Sequence, residues 1–273
     1  MRVLISVDME GISGVVARSD TMAGTPSYER FRRRMTEETN AAIRGVFKGG
    51  ATSVVVNDSH GSMKNLLYEE IDERAELISG SGKVLCMVAG GPGSQAACFV
   101  GYHAWAGTAH AVLDHTISSK HTANWWLNGE RVGEAQINAA LLGFYGVPVV
   151  LVTGDQALAQ QVASTLPQAR RVVVKESIDR QTARSLPPGE VLRLIESEAE
   201  TAVRAAAAIE PLRREGPQTF RIEFTLTSYA EAACLWPDVV RIDDRTVEIA
   251  GQDMLDAWRR AYATLQLASS GDE

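Results

Sequence analysis

Val3-Leu4-Ile5-Ser6-Val7-Asp8-Met9-Glu10-Gly11 decides the reading of this chain. Five residues, four of them apolar, run directly into two carboxylates and a glycine. A short apolar run bounded by turn residues is the signature of a strand buried on both faces, as in a parallel sheet. Ligands of open α/β sheets collect just outside the carboxyl ends of the strands, so Asp8 and Glu10 stand where a site would form. Two residues apart on an extended chain, they share a side. Neighbouring anions raise one another's pKa unless something positive lies between them. A metal ion is the working expectation for that partner, with its other ligands drawn from elsewhere in the chain. Asp8 by itself reads equally well as a cap on the following turn.

The pattern repeats outward from this stretch. Thr25 is suited to cap a helix and Pro26 to open it. Tyr28, Phe31, Met35, Ala42, Ile43, Val46 and Phe47 then form one apolar stripe that ends at Gly49-Gly50. A second strand, Ser53–Val56, exits into Asn57-Asp58-Ser59-His60. A right-handed βαβ unit puts both exits on one edge, which brings His60 to Asp8 and Glu10. Further strands are expected at 84–91, 98–103 and 111–115. Asn128-Gly129 marks a hairpin turn within 124–132. Gly133-Glu134 opens a helix whose body, Ile137 to Tyr145, is apolar nearly all round and so buried. Glu134 gains from the helix dipole, yet a carboxylate leading a buried helix must still find a partner. Strands at 147–152 and 171–174, helices at 156–166 and 188–208, antiparallel strands at 220–227 and 239–249 and a closing helix at 253–267 complete the chain, and residues 269–273 read as a frayed tail. The expected fold is α/β: a mostly parallel central sheet flanked by helices (1–178, carrying the metal-binding site), followed by a smaller α+β C-terminal lobe (179–273).

Composition narrows the function. The 273 residues are 45% hydrophobic and 22% charged, with a net charge of -7. No basic stripe is present to displace counterions from a nucleic-acid backbone; Arg32-Arg33-Arg34 is followed within a turn by Glu37 and Glu38 and reads as a solvated helix face. No apolar run approaches the ~20 residues that span a bilayer, and no signal peptide is expected ahead of the first strand. Three cysteines without CxxC spacing fit a reducing compartment. The expectation is a cytoplasmic protein with neither nucleic acid nor membrane as partner.

All five histidines, His60, His103, His110, His115 and His121, lie between positions 60 and 121. Three of them, His60, His103 and His115, follow apolar runs on the same expected edge as Asp8 and Glu10. HExxH is absent, so this is no zincin. Two metal ions ~3.5–4 Å apart would clamp a bridging water and polarise a carbonyl. Charge balance suits a pair: three carboxylates against two divalent ions leave one positive charge, which a hydroxide neutralises.

Taken together, Ser6-Val7-Asp8-Met9-Glu10-Gly11-Ile12-Ser13-Gly14, Val56-Asn57-Asp58-Ser59-His60, Gly101-Tyr102-His103-Ala104 and Asn128-Gly129-Glu130-Arg131-Val132-Gly133-Glu134 resemble the zinc-dependent D-aminopeptidases of the DppA type. The resemblance continues through Met35-Thr36-Glu37-Glu38, Val174-Lys175 and Asp253-Met254-Leu255, nearly the whole chain. It implies an aminopeptidase with two zinc ions per subunit that releases D-residues from short peptides. The matching metal ligands are Asp8, Glu10, His60, His103 and Glu134, with Asp8 as the bridge, and His115 matches the catalytic residue. It also implies a homo-oligomer, a ring of ten subunits around an inner chamber. The chain departs from the pattern between His103 and His115, where one residue more is present and His110 is added. Two other readings use the same residues: a two-metal amidase or phosphoesterase, and a non-catalytic metal-binding α/β protein. The first would turn over a simple amide or phosphate ester better than D-Ala peptides, and the second would bind metal without turnover.

Overall fold

The computed structural model describes residues 1–271. The chain runs β1 (Arg2–Val7), α1 (Arg18–Thr21), α2 (Pro26–Lys48), β2 (Ser53–Asp58), β3 (Ala75–Ile78) and β4 (Ala96–Val100). It continues with β5 (Thr122–Leu127), β6 (Glu130–Arg131), α3 (Glu134–Phe144), β7 (Val149–Asp155), α4 (Gln156–Thr165), β8 (Arg170–Asp179), β9 (Thr182–Ser185) and α5 (Pro188–Arg204). The last stretch is β10 (Gln218–Phe224), α6 (Thr227–Ala233), β11 (Val240–Arg241), β12 (Thr246–Gly251) and α7 (Met254–Ala268). No helix among the described residues is long and apolar enough to cross a membrane.

The expected α/β architecture is present. Seven strands in the order β3-β2-β1-β4-β7-β8-β9 form the central sheet, parallel except for β9 at the edge. Side-chain alternation divides the core between its faces. Val3, Ile5 and Val7 point to the side covered by α2 and α5, while Leu4 and Phe99 point to the side that holds α3, α7 and the second sheet. The α2 start agrees with the sequence reading, with the Thr25 hydroxyl accepting from Tyr28 N at 3.1 Å.

The second sheet, β11-β12-β10-β5-β6, is antiparallel throughout. It takes two of its strands from the middle of the chain: the Asn128-Gly129 hairpin pairs with β10, not with the central sheet. The boundary expected at 178 falls inside β8, and β9 and α5 beyond it belong to the central layer.

Two expected strands are corrected. Residues 84–91 contain a 3-10 turn at Cys86–Val88, with Cys86 in the left-handed region (φ 46°), a conformation no strand accommodates. Residues 111–115 form turns, with Leu113 at φ 50°. The short edge strands at 75–78 and 182–185, and the short helices α1 and α6, are additions to the expected elements. Ser269–Gly271 forms a 3-10 turn; Asp272 and Glu273, the end of the expected tail, lie outside the described residues.

Register is what assembles the site. Val7 sits opposite Asp58 on one side and Val100 on the other, so the chain leaves β1, β2 and β4 at one level. Asp8 N donates to Val100 O and Ser59 N to Val7 O, both at 2.8 Å, which holds the exits together. The turns after β1 and β4 touch backbone to backbone: Gly11 N donates to Gly101 O at 2.8 Å. A Cβ on Gly11 would lie 1.9 Å from Tyr102 O, and one on Gly101 (φ 70°) would lie 2.3 Å from Asp8 O. Replacing either glycine by alanine is therefore expected to cost about 2 kcal/mol or more, a Tm decrease of about 4–8 °C. A change below about 0.5 kcal/mol in thermal or urea unfolding would contradict this close approach.

Candidate active site

Six side chains converge at the carboxyl edge of the central sheet. Asp8 and Glu10 come from the turn after β1, His60 from the exit of β2 and His103 from the exit of β4. Glu134 is the first residue of α3, and His115 is carried by the loop between β4 and β5. Asp8 lies in the middle. Its Oδ1 is 3.3 Å from His60 Nδ1 and its Oδ2 is 3.4 Å from His103 Nε2. Glu10 Oε2 lies 2.9 Å from His60 Nδ1, and Glu134 Oε2 lies 3.2 Å from His103 Nε2. His115 stacks on His103 with ring centroids 4.2 Å apart, its Nε2 3.9 Å from Glu134 Oε1.

Backbone carbonyls orient all three rings. His60 Nε2 donates to Thr21 O at 2.9 Å, His103 Nδ1 to Ala104 O at 3.0 Å and His115 Nδ1 to Leu113 O at 2.9 Å. With one nitrogen of each ring committed as a donor, the other turns its lone pair into the cluster. In the neutral tautomer those lone pairs confront carboxylate oxygens. Asp8 Oδ2, Glu10 Oε2 and His103 Nε2 are buried and have no hydrogen-bond partner among the described residues. Acceptors facing acceptors in a buried site need a cation between them, either protons or a metal. Donor atoms of Asp8, Glu10 and His103, and separately of His103, His115 and Glu134, lie within 4.8 Å of one another, the spread of a coordination sphere. Nitrogen and carboxylate oxygen are ligands that suit zinc and other borderline divalent ions.

With no cation bound, protons would take its place in the cage. Burial works against charge on His103, but Glu134 and Asp8 prevail and push its pKa up to about 10. His60, equally buried, is held well above its ordinary value by Glu10 and Asp8. Burial and the adjacent Glu10 push Asp8 up to about 7. Glu10 and Glu134 stay below the usual carboxylate range despite burial, because His60 and His103 respectively lie against them. His115 differs: burial and the neighbouring His103 both lower its pKa, so it is neutral near pH 7.

The loop that holds His115 is strained. Leu113 and Ile117, two residues to either side, have φ of 50° and 64°, costly for a branched residue at ~1–3 kcal/mol each. The strain has local returns. Leu113 O fixes the His115 tautomer, and Ile117 N donates to Glu134 Oε1 at 2.7 Å. His110 and His121 lie outside the cluster. His110 Nδ1 bonds Ile178 O at 2.8 Å, and His121 lies edge-on to Tyr229. His115 rather than His110 is thus the loop histidine that meets the carboxylates.

Sequence reasoning missed Lys175. Buried in the middle of β8, it donates to the carbonyls of Glu10, Ile12 and Val15 at 2.5, 2.9 and 2.7 Å, tying the turn that carries Glu10 to the sheet. A lone lysine closing the apolar run Val172-Val173-Val174 was the available signal. A cavity of about 430 Å³ opens over the cluster, lined among others by Asp8, Glu10, His60, His115 and Glu134.

Fold and site together define the class, an α/β protein with a histidine–carboxylate cage at its strand exits. The D-aminopeptidase family, peptidase M55, matches residues 1–263, and the chain belongs to that family. A D-aminopeptidase of Bacillus subtilis (strain 168) is 36% identical over 270 residues, 98% of each chain. The solved structure of the Zn-dependent D-aminopeptidase DppA from Bacillus subtilis, described as a self-compartmentalizing protease, superposes with a TM-score of 0.94 at 35% identity, over 98% of each chain.

The proton-filled cage has a measurable sign. The folded pKa of His103 lies above its unfolded value of ~6.5, so the stability it lends the metal-free protein is complete below about pH 6.5 and is lost as pH rises through about 10. Chelator-treated protein should lose thermal stability over that interval, and metal-loaded protein should not. Uptake of a divalent ion near pH 7 should release protons, read by calorimetry in buffers of differing ionisation heat. Uptake with no proton release would contradict the cage as described.

Proposed function

We propose that the chain is a zinc-dependent aminopeptidase that binds two zinc ions and releases N-terminal D-residues, such as D-Ala, from short peptides or amides. Asp8, Glu10 and His60 would hold one ion and Asp8, His103 and Glu134 the other, with Asp8 as the bridge. The observation that carries this reading is the two-sided position of Asp8, one oxygen facing His60 and the other, without a hydrogen bond, facing His103. Zinc ions bound there would supply Lewis-acid polarisation of the scissile carbonyl and a water of lowered pKa. The peptide's amino group would anchor on one of the ions or on a nearby carboxylate, which would restrict cleavage to the N-terminus. His115, neutral and with Nδ1–H held by Leu113, can take up a proton at Nε2 and return it to the leaving amine. The preference for D-residues is supported by the family and by the B. subtilis relatives.

A specific observation favours a second role for His115: its proximity to His103 and Glu134 would also suit a metal ligand. Metal content separates the two. As a proton carrier, His115→Ala should lose turnover of D-alanyl amides by about 100-fold or more while keeping two zinc ions per chain. Retention of one ion only would make His115 a ligand. Asp8→Asn should lose both ions, and a fully loaded, active Asp8→Asn protein would refute the bridge.

The same reading includes a homo-oligomer, a ring of ten subunits, supported by the self-compartmentalizing description of the B. subtilis protein and by exposed apolar residues such as Tyr68, Leu226 and Leu235. Light scattering should give ten times the mass of one chain; a monomer would contradict it. The three free cysteines support a reducing compartment, the cytoplasm.

A further inference from the structure

The segment that follows β1, residues 8–15, carries Asp8 and Glu10 but consists of bends and turns. Two buried charged side chains from distant elements hold it. Lys175, on β8, is 1% exposed and spends its ammonium on the carbonyls of Glu10, Ile12 and Val15. Glu38, on α2, is fully buried, and its Oε1 accepts from Ser13 N at 3.0 Å and from Ser13 Oγ at 2.5 Å. One side chain holds the segment by its acceptors and the other by its donors. Arg34 braces the second hold, with Nε donating to Ser13 Oγ at 2.9 Å and lying 3.2 Å from Glu38 Oε1.

A local irregularity of the sheet aims the lysine. Gly154 pairs with Val173, but Asp155 pairs with Lys175, so Val174 is an extra residue in β8. Bulges of this kind re-aim a side chain and are frequent beside active sites. Strict alternation would send Lys175 to the face opposite Val174. Instead it meets Ile12 and Val15, which pack with Val174 on the side covered by α2 and α5. Stability does not call for either charge, since apolar residues of similar size at buried ionic positions are often neutral or stabilising. What the charges add is direction: they commit an irregular segment to one path.

We infer that Lys175 and Glu38 are positioning residues for the Glu10 carboxylate, acting through the backbone of residues 10–15. The other cluster residues are held independently. Asp8 N is fixed by Val100 O and the His60 ring by Thr21 O, while His103 is oriented by Ala104 O and Glu134 heads α3. The consequence is one-sided: losing either hold weakens a divalent ion on the Glu10–His60 side and spares the His103–Glu134 side. The inference rests on the two-ion reading above and deepens it by separating the halves of the site.

The test is calorimetric zinc titration of the chelator-treated protein, with thermal unfolding measured alongside. Lys175→Met keeps the length of the side chain and removes its donors. It should bind one ion about 10–100-fold more weakly than wild type, the size usual for groups that orient metal ligands, and the other within about 3-fold. Crystals grown at limiting zinc should keep the anomalous peak beside His103 and lose the one beside His60. Glu38→Leu should do the same from the other side of the segment, whereas Glu38→Gln, which keeps an acceptor for Ser13, should stay within about 3-fold of wild type. Equal weakening of both ions, loss of the peak beside His103 instead, or a lower Tm with both affinities unchanged would overturn the inference. Should Lys175→Met not fold, the two Glu38 variants decide by the same comparison. Uptake of a single ion by wild type would refute the two-ion reading alone. The inference then stands if Lys175→Met binds that ion about 10-fold more weakly, and falls if the affinities are equal. A wild type that takes up no zinc rejects both.

Discussion

The structure depends on the confrontation of three buried carboxylates with three histidine lone pairs around Asp8. Left alone, that arrangement is repulsive, and in a low-dielectric site the cost is several kcal/mol per unpaired ion. The fold tolerates it because the groups are fixed by backbone rather than by one another. The register of β1 against β2 and β4 sets the level of the exits, the Gly11–Gly101 contact sets their separation, and three carbonyls set the ring tautomers. The site is thereby preorganised for positive charge, which spares the reaction the cost of ordering its ligands.

Much of this was legible in the sequence because parallel strands announce themselves. Val3–Val7 and Val54–Val56 are apolar on both faces, and the residues that leave such a run must sit at the carboxyl edge. Asp8, Glu10, His60 and His103 could be placed together on that ground alone. Glu134 was legible for a different reason, a carboxylate that heads a helix with no polar face and so has nowhere else to go. The strand expected to carry His115 is absent, although His115 stacks on His103 in the cluster. Ala111-Val112-Leu113 imitates a strand, whereas the chain there turns through left-handed residues held by tertiary contacts with Glu134, Asp155, Ser177 and Arg180.

The features that stayed hidden rest on main-chain atoms or on distant pairing. The carbonyls of Thr21, Ala104 and Leu113 leave no trace in residue type, since any residue supplies a carbonyl. Lys175 acts on three more of them from 160 or more positions away. The Asn128-Gly129 hairpin was evident as a hairpin, but its partner β10 begins only at Gln218, and period-2 alternation does not specify which sheet a strand joins. The edge strands β3 and β9 are short and partly polar, as edges that avoid aggregation tend to be, and that blunting also erases their signal.

The central claim is that Asp8 lies between two cations. Anomalous diffraction at the zinc absorption edge, from crystals of the zinc-loaded protein, tests it most directly. Two peaks ~3.5–4 Å apart, one beside His60 and the other beside His103 with an oxygen of Asp8 on each, are the predicted result. A single peak, or two peaks that Asp8 does not join, would contradict the account.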